Sequence, residues 1–195
     1  MKFYIETYGC TANLGNSQDL AGALQEMGHI PSTLEEADAV IVNTCVVTEK
    51  TQRKILRRLS LLQGKRLIVA GCLSVAIPES IGDISCRGRL GLLNRCEAAR
   101  ISDLFCEYFV PPQDELLHGP SRDALPRVPF PVDALCAVVN VAEGCNGSCS
   151  YCIVRKARGR LKSCKVEDVA REVEKLASQG VAEVQVSAQD TAAYG

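Results

Sequence analysis

Three things are scarce in this 195-residue sequence: net charge, long apolar runs and histidine. Twenty-two Lys and Arg against 23 Asp and Glu leave a formal charge of −1, so a histone-like coating of nucleic acid is excluded. Any polyanion must be held by local basic clusters. The longest nearly apolar run, Leu67 to Ile77, has 11 residues interrupted by Gly71 and Ser74, against about 20 for a membrane-crossing helix. The opening MKFYIETYGC places Glu6 where a secretion signal needs apolar residues, so a cytoplasmic protein with reduced thiols is expected, with no membrane partner. The only histidines, His29 and His118, are isolated from one another and from ligand-like neighbours.

Cysteine, by contrast, is abundant. Eleven is an odd number, and in a reducing compartment a disulfide framework accounts for it poorly. Metal or cluster ligation is the better first hypothesis for some of these thiols, with the others as small core residues.

The chain alternates strand and helix signals. Lys2 to Tyr8 is β-rich. A Gly/Asn loop then opens onto a helix that Ser17 can cap, with Leu20, Leu24 and Met27 on one face and Gly28 as its stop. Asp38 to Thr44 is short, continuous and β-branched, as in a strand buried on both faces. Thr48 and Glu49 start a second helix with Ile55, Leu56, Leu59 and Leu62 on one face, and Leu67 to Ala70 reads as a third strand. A further strand near Leu90 to Leu93 and a helix from Arg95 to Tyr108 complete an α/β domain, an open parallel sheet of the doubly wound kind, over residues 1–110. Six of the eight prolines fall between Pro111 and Pro131, so residues 111–133 read as a linker. Residues 134–195 begin a second unit: a strand from Cys136 to Ala142, a helix from Val166 to Gln179 with Val166, Val169, Val173 and Leu176 on one face, and a strand from Val184 to Ser187. Two strands and one helix cannot enclose a core, so the expectation is a partial chain, inactive alone.

Cys145, Cys149 and Cys152 form a CxxxCxxC loop directly after a predicted strand. Asn146, Gly147 and Ser148 permit tight turns, so three sulfurs can converge on one inorganic centre. Three donors are one short of a closed zinc or iron–sulfur site. A distant fourth ligand, or a metal position left open for substrate or cofactor, follows. Zinc remains open on spacing alone. Cys10, Cys45 and Cys72 are unremarkable in spacing, but each follows the carboxyl end of a predicted parallel strand, the edge where ligand sites form in such sheets. Buried spacers are the alternative. Cys86, Cys96, Cys106, Cys136 and Cys164 form no CxxC pair and read as structural or free thiols.

The stretches TYGCTANLGNS, VNTCVVT, VAGCLS, GCNGSCSYC and ARGRLKS, in this order, closely resemble the radical S-adenosylmethionine methylthiotransferases. The resemblance implies that residues 134–195 are the first β-α-β of a partial TIM barrel. It also implies two 4Fe–4S clusters, an auxiliary one on Cys10, Cys45 and Cys72 and a radical one on Cys145, Cys149 and Cys152, with S-adenosylmethionine as cofactor. Tyr151, Ser187, Gln189 and Asp190 would lie on the cofactor side. The implied chemistry is sulfur insertion at an unactivated C–H bond by a 5′-deoxyadenosyl radical, which needs an electron donor of flavodoxin or ferredoxin type. The resemblance also implies further barrel strands and a small RNA-binding β-domain that these 195 residues do not include, in line with the expected partial chain.

Lys50, Arg53, Lys54, Arg57 and Arg58 recur along one helical stripe, a candidate phosphate track or simply a solvated face. A second basic run, with Arg155, Lys156, Arg158, Arg160, Lys162 and Lys165, follows the CxxxCxxC loop, so a basic surface is expected beside that loop, with Arg158, Arg160 and Lys162 as further RNA contacts. Among family members, the wording resembles the archaeal and eukaryotic branch that acts on N6-threonylcarbamoyladenosine in tRNA. The isopentenyladenosine and ribosomal-protein branches are alternatives, as is a non-catalytic zinc or Fe–S module that binds RNA.

Overall fold

The computed structural model describes residues 1–62, 64–93, 97–105 and 135–195. The expected linker, Cys96, Cys106 and His118 therefore lie outside the described residues. The first unit runs β1 (Lys2–Thr7), α1 (Thr11–Glu26), β2 (Ile30–Pro31), β3 (Ala39–Thr44), α2 (Glu49–Leu61), β4 (Arg66–Gly71), α3 (Cys72–Ala76), a 3-10 turn at Pro78–Ile81, β5 (Gly88–Arg89) and α4 (Glu97–Phe105). Its sheet is parallel throughout, in the order β2-β1-β3-β4-β5.

Both faces of this sheet are covered, because alternate residues of β3 and β4 point opposite ways. Ile41 and Ile68 join Leu20 and Leu24 of α1 and Ile101 and Leu104 of α4. Val40, Val42, Leu67 and Val69 join Ile55 and Leu59 of α2 and Leu73 of α3. The continuous apolar runs of β3 and β4 are thus the signature of two-sided burial.

Several local expectations are corrected. Ser17 caps nothing: α1 begins at Thr11, and the Ser17 hydroxyl, buried in mid-helix, accepts from Thr7 Oγ1 and Asn43 Nδ2 at 2.8 Å each. Met27 follows α1 and is exposed rather than part of the Leu20/Leu24 face. The strand expected at Leu90 to Leu93 is β5, two residues earlier in the chain, while Leu90 and Leu93 are core residues beyond it. Thr48 does cap α2, accepting from Thr51 N at 3.2 Å.

The second unit runs β6 (Cys136–Asn140), β7 (Ala142–Glu143), α5 (Val154–Arg158), β8 (Lys162–Ser163), α6 (Val166–Ser178), β9 (Glu183–Ser187) and a 3-10 turn at Thr191–Ala193. β6 and β9 pair in parallel, and β7 and β8 pair antiparallel, closing the base of the cysteine loop between them. Leu176 packs under Ala137, Val139 and Val141, with Val169 and Val173 half-buried beside it, while Val166 is exposed.

Helix α1 joins the two units. One side lies on the first sheet and the other meets β6: Val138 N donates to Gln18 Oε1 at 2.9 Å and Asn140 Nδ2 to Ala12 O at 3.0 Å. The approach is close because position 15 is glycine; a Cβ there would stand 2.7 Å from Asn140 Nδ2 and 2.9 Å from Val138 Cγ1. α5 packs in turn on α3, with Ala157 buried in the Ile55/Leu73 cluster.

Candidate metal centres

β1, β3 and β4 end side by side, with Thr7 opposite Asn43 and Thr44 opposite Gly71. Cys45 and Cys72 follow their strands immediately, and Cys10 is the N-cap of α1. Two glycines make the crossing possible. Gly9, at φ 110°, lets the Cys10 loop pass so close to Cys45 that a Cβ would stand 2.9 Å from its Sγ. Gly71, at φ 95°, turns β4 into α3 where a Cβ would meet Thr44 O at 2.6 Å. Both are conformations that side chains other than glycine rarely adopt. Cys45 and Cys72 are buried and Cys10 is exposed, so the trio has an open side.

Asn13 organises this edge. Its Nδ2 donates to Tyr8 O at 2.7 Å and Thr44 O at 2.9 Å, tying the ends of two strands, and its Oδ1 accepts from Cys72 Sγ at 3.8 Å and from Arg158 Nη2. Asn43 Nδ2 returns a bond to Asn13 O at 2.9 Å. The Cys72 thiol is pushed up by burial, an effect that the Arg158 charge opposes and the neighbouring Cys45 and Cys10 reinforce.

The second trio lies in the loop between β7 and α5. Gly144 N donates to Gln189 Oε1 at 2.7 Å, Cys145 N to Gly159 O at 3.2 Å and Arg155 Nη1 to Gly147 O at 3.0 Å, which fix the two ends and the middle of the loop. Cys145, Cys149 and Cys152 line one open cavity of about 520 Å³ together with Arg155 and Lys156. Three sulfurs beside two cations form a donor set matched to an anionic thiolate-bound centre. Tyr151 is exposed, and its hydroxyl is pushed up chiefly by the adjacent Cys149. Ser187 is the last residue of β9, and Gln189 and Asp190 follow it; of these Gln189 reaches the cysteine loop directly. A short helix, α5, begins two residues after Cys152. Among the described residues no three His, Cys, Asp or Glu side chains form a group that could already hold a single metal ion.

The basic residues divide. Lys50, Arg57, Arg160 and Lys162 are exposed. Arg53 pairs with Glu49 along α2, Arg58 binds both oxygens of Glu6 at 3.0 Å, and Lys54 stands 5.6 Å over the Tyr8 ring. Acids therefore do interrupt the α2 stripe, one on the helix and one from β1. Arg158 departs further from expectation. It is buried, donating to Asn13 Oδ1, to Asn16 Oδ1 at 3.1 Å and to Glu143 Oε1 at 3.0 Å, and it faces the first unit rather than solvent. Asn13, Asn16 and Glu143 went unremarked in the sequence; the only sign of the asparagines was their place after Cys10 in the CTANLGN stretch.

Of the remaining thiols among the described residues, Cys86 packs at the edge of the Ile55/Leu73 cluster, Cys136 Sγ donates to Glu183 Oε1 at 3.8 Å and Cys164 Sγ donates to Asn140 O at 3.5 Å. His29 bonds Ser102 Oγ at 2.8 Å and meets the Phe105 ring edge-on, and burial lowers its pKa. No helix among the described residues is long and apolar enough to cross a membrane.

Comparison with known proteins places both trios in context. Residues 2–87 match the family described as Uncharacterized protein family UPF0004, and residues 139–195 match the Radical SAM superfamily, which implies a 4Fe–4S cluster and S-adenosylmethionine. The whole chain is 36% identical to the probable threonylcarbamoyladenosine tRNA methylthiotransferase of Methanothermobacter thermautotrophicus and 35% identical to that of Archaeoglobus fulgidus, covering 46% of each. It is 34% identical to the tRNA-2-methylthio-N(6)-dimethylallyladenosine synthase of Dictyoglomus thermophilum, again covering 46% of it. The chain thus spans about half the length of the curated relatives it matches, and over that span it is similar to tRNA methylthiotransferases.

Proposed function

We propose that the chain is the cluster-bearing part of a tRNA methylthiotransferase that adds a methylthio group to C2 of N6-threonylcarbamoyladenosine beside the anticodon. The observation that supports this is the placement of six cysteines in two sets, three beyond the carboxyl ends of adjacent parallel strands and three along one cavity. Cys145, Cys149 and Cys152 would hold the radical 4Fe–4S cluster, and Cys10, Cys45 and Cys72 a second one. When bound, the clusters and S-adenosylmethionine supply the radical that removes hydrogen from carbon and the sulfur that replaces it.

The chain's own residues do the positioning. Arg155 and Lys156 counter the negative charge of a thiolate-bound centre at the cavity. Gln189 fixes the first residue of the loop from the end of β9, so the loop and that strand end move as one. Tyr151, with Ser187 and Asp190, is left for the cofactor. Lys50, Arg57, Arg160 and Lys162 offer exposed positive charge to the tRNA backbone. An electron donor of the flavodoxin or ferredoxin kind completes the partner set.

Anaerobic reconstitution tests the two-site arrangement. The chain should take up about eight iron and turn brown, and Cys149→Ala should retain about four, with the spectrum of the remaining cluster intact. Uptake of one or two zinc without colour would identify a structural module instead. Nucleoside mass spectrometry of tRNA from cells lacking the gene tests the base. Loss of the methylthio-threonylcarbamoyl nucleoside is expected, whereas loss of the methylthio-isopentenyl nucleoside would move the substrate to the second branch.

A further inference from the structure

Two cysteine sites on different units need a means of holding a fixed relation, and one buried cation connects them. Arg158 closes α5, the helix that begins two residues after Cys152, yet its side chain leaves that unit. Its side chain is only 2% exposed, and its guanidinium contacts Asn13 and Asn16 of α1 on one side and Glu143 of β7 on the other. Asn13 Oδ1, which accepts from Arg158 Nη2, is the same atom that Cys72 Sγ approaches at 3.8 Å. The positive charge and the sulfur are thus two neighbours of one oxygen.

We infer that Arg158 is a positioning residue of the Cys10/Cys45/Cys72 site, a fixed positive charge that the radical-loop unit places beside the N-terminal cluster. The inference rests on the cluster assignment under the proposed function. An arginine is suited to this place because its guanidinium stays charged when buried and binds several acceptors at once in a rigid plane. Glu143 accepts from Nη1 while Asn13 and Asn16 accept from Nη2, so the buried cation has a balancing negative charge. The consequence is electrostatic. A cluster that takes up one electron loses one unit of positive charge, and a neighbouring cation favours that reduced state. The electron affinity of the N-terminal cluster then depends on the two units being docked, because the cation arrives only with α5.

The test uses the 195-residue chain with Cys145, Cys149 and Cys152 all changed to alanine, loaded anaerobically with iron and sulfide. The midpoint potential of the one remaining cluster is followed by electron paramagnetic resonance during titration with dithionite. Arg158→Met is expected to move the potential to more negative values, and Arg158→Lys to retain most of the original value. Glu143→Gln, which removes a negative charge and leaves the guanidinium, is expected to move it the other way by a smaller amount. A residue that only held the units together would shift the potential in the same direction in Arg158→Met and Glu143→Gln, because both loosen the same junction; that result overturns the inference, as does an unmoved potential in Arg158→Met. Failure of the parent to load any cluster would instead refute the assignment of Cys10, Cys45 and Cys72, and the inference with it.

Discussion

Replacing Asn13 by alanine removes the side chain on which four segments meet. Its amide donates to two backbone carbonyls, Tyr8 O at 2.7 Å and Thr44 O at 2.9 Å, and its Oδ1 serves the Arg158 guanidinium. Two neutral bonds contribute about 1 kcal/mol each and the bond to a charged group about 1.5–3 kcal/mol. Asn13 and Thr44 are both buried, so water cannot replace these partners without rearrangement. Arg158 keeps Asn16 and Glu143, which limits the loss on that side. The expected destabilisation is about 3–5 kcal/mol, read as a shift in the urea midpoint of the metal-free chain by circular dichroism. Asn13→Asp separates the contributions: it offers the guanidinium a full negative charge but turns an acceptor toward two carbonyl oxygens. It is expected to be no more stable than Asn13→Ala. A loss below about 1 kcal/mol for Asn13→Ala, within the range of an ordinary surface change, would refute the placement of Asn13 as the junction of the strand ends.

Alkaline stability and RNA binding give two more tests. The Tyr8 hydroxyl, which donates to Glu6, is pushed up to about 12 by burial and that carboxylate, against an ordinary value of 10.0. Above pH 10 the unfolded chain loses this proton first, so the contribution is whole below that pH and lost as pH rises toward 12. Tyr8→Phe should therefore show a shallower decline of stability over that window, and parallel curves would count against it. Lys50→Ala combined with Arg57→Ala should lower the slope of log affinity for tRNA against log salt by about 1.5. Arg58→Ala, whose charge is already bound to Glu6, should leave that slope nearly unchanged in a filter-binding series while lowering thermal stability.

The open parallel sheet and its covering helices were legible because the signals of their main elements are local. β3 and β4 carry short continuous apolar runs, Ala39 to Val42 and Leu67 to Ala70, and α2 carries both a capping threonine and a single apolar stripe. The positions of Cys10, Cys45 and Cys72 followed from one rule about parallel sheets, since the carboxyl ends of neighbouring strands share an edge. What the sequence concealed depends on long-range partners. Arg158 reads like its neighbours in ARGRLKS, and nothing within ten residues distinguishes a guanidinium that turns inward from one that faces water. Two of its acceptors, Asn13 and Asn16, lie more than 140 positions away. Arg58 is similar, with its acid supplied by β1. The reading of Ser17 as a cap failed because a serine amid small residues fits a helix start and a crowded helix interior equally well; only the closeness of Thr7 and Asn43 decides.

Helix α1 bears on how this protein can change over time. Most helices at a surface keep one flank open to water, where substitutions are cheap. Along α1 the residues from Ala12 to Leu24 are mostly buried all round, with one flank against the first sheet and the other against β6. A new side chain there must satisfy two neighbours that belong to separate folding units. The small and polar residues of α1 are therefore as constrained as its leucines, and drift in either unit is limited by a segment that formally belongs to only one of them.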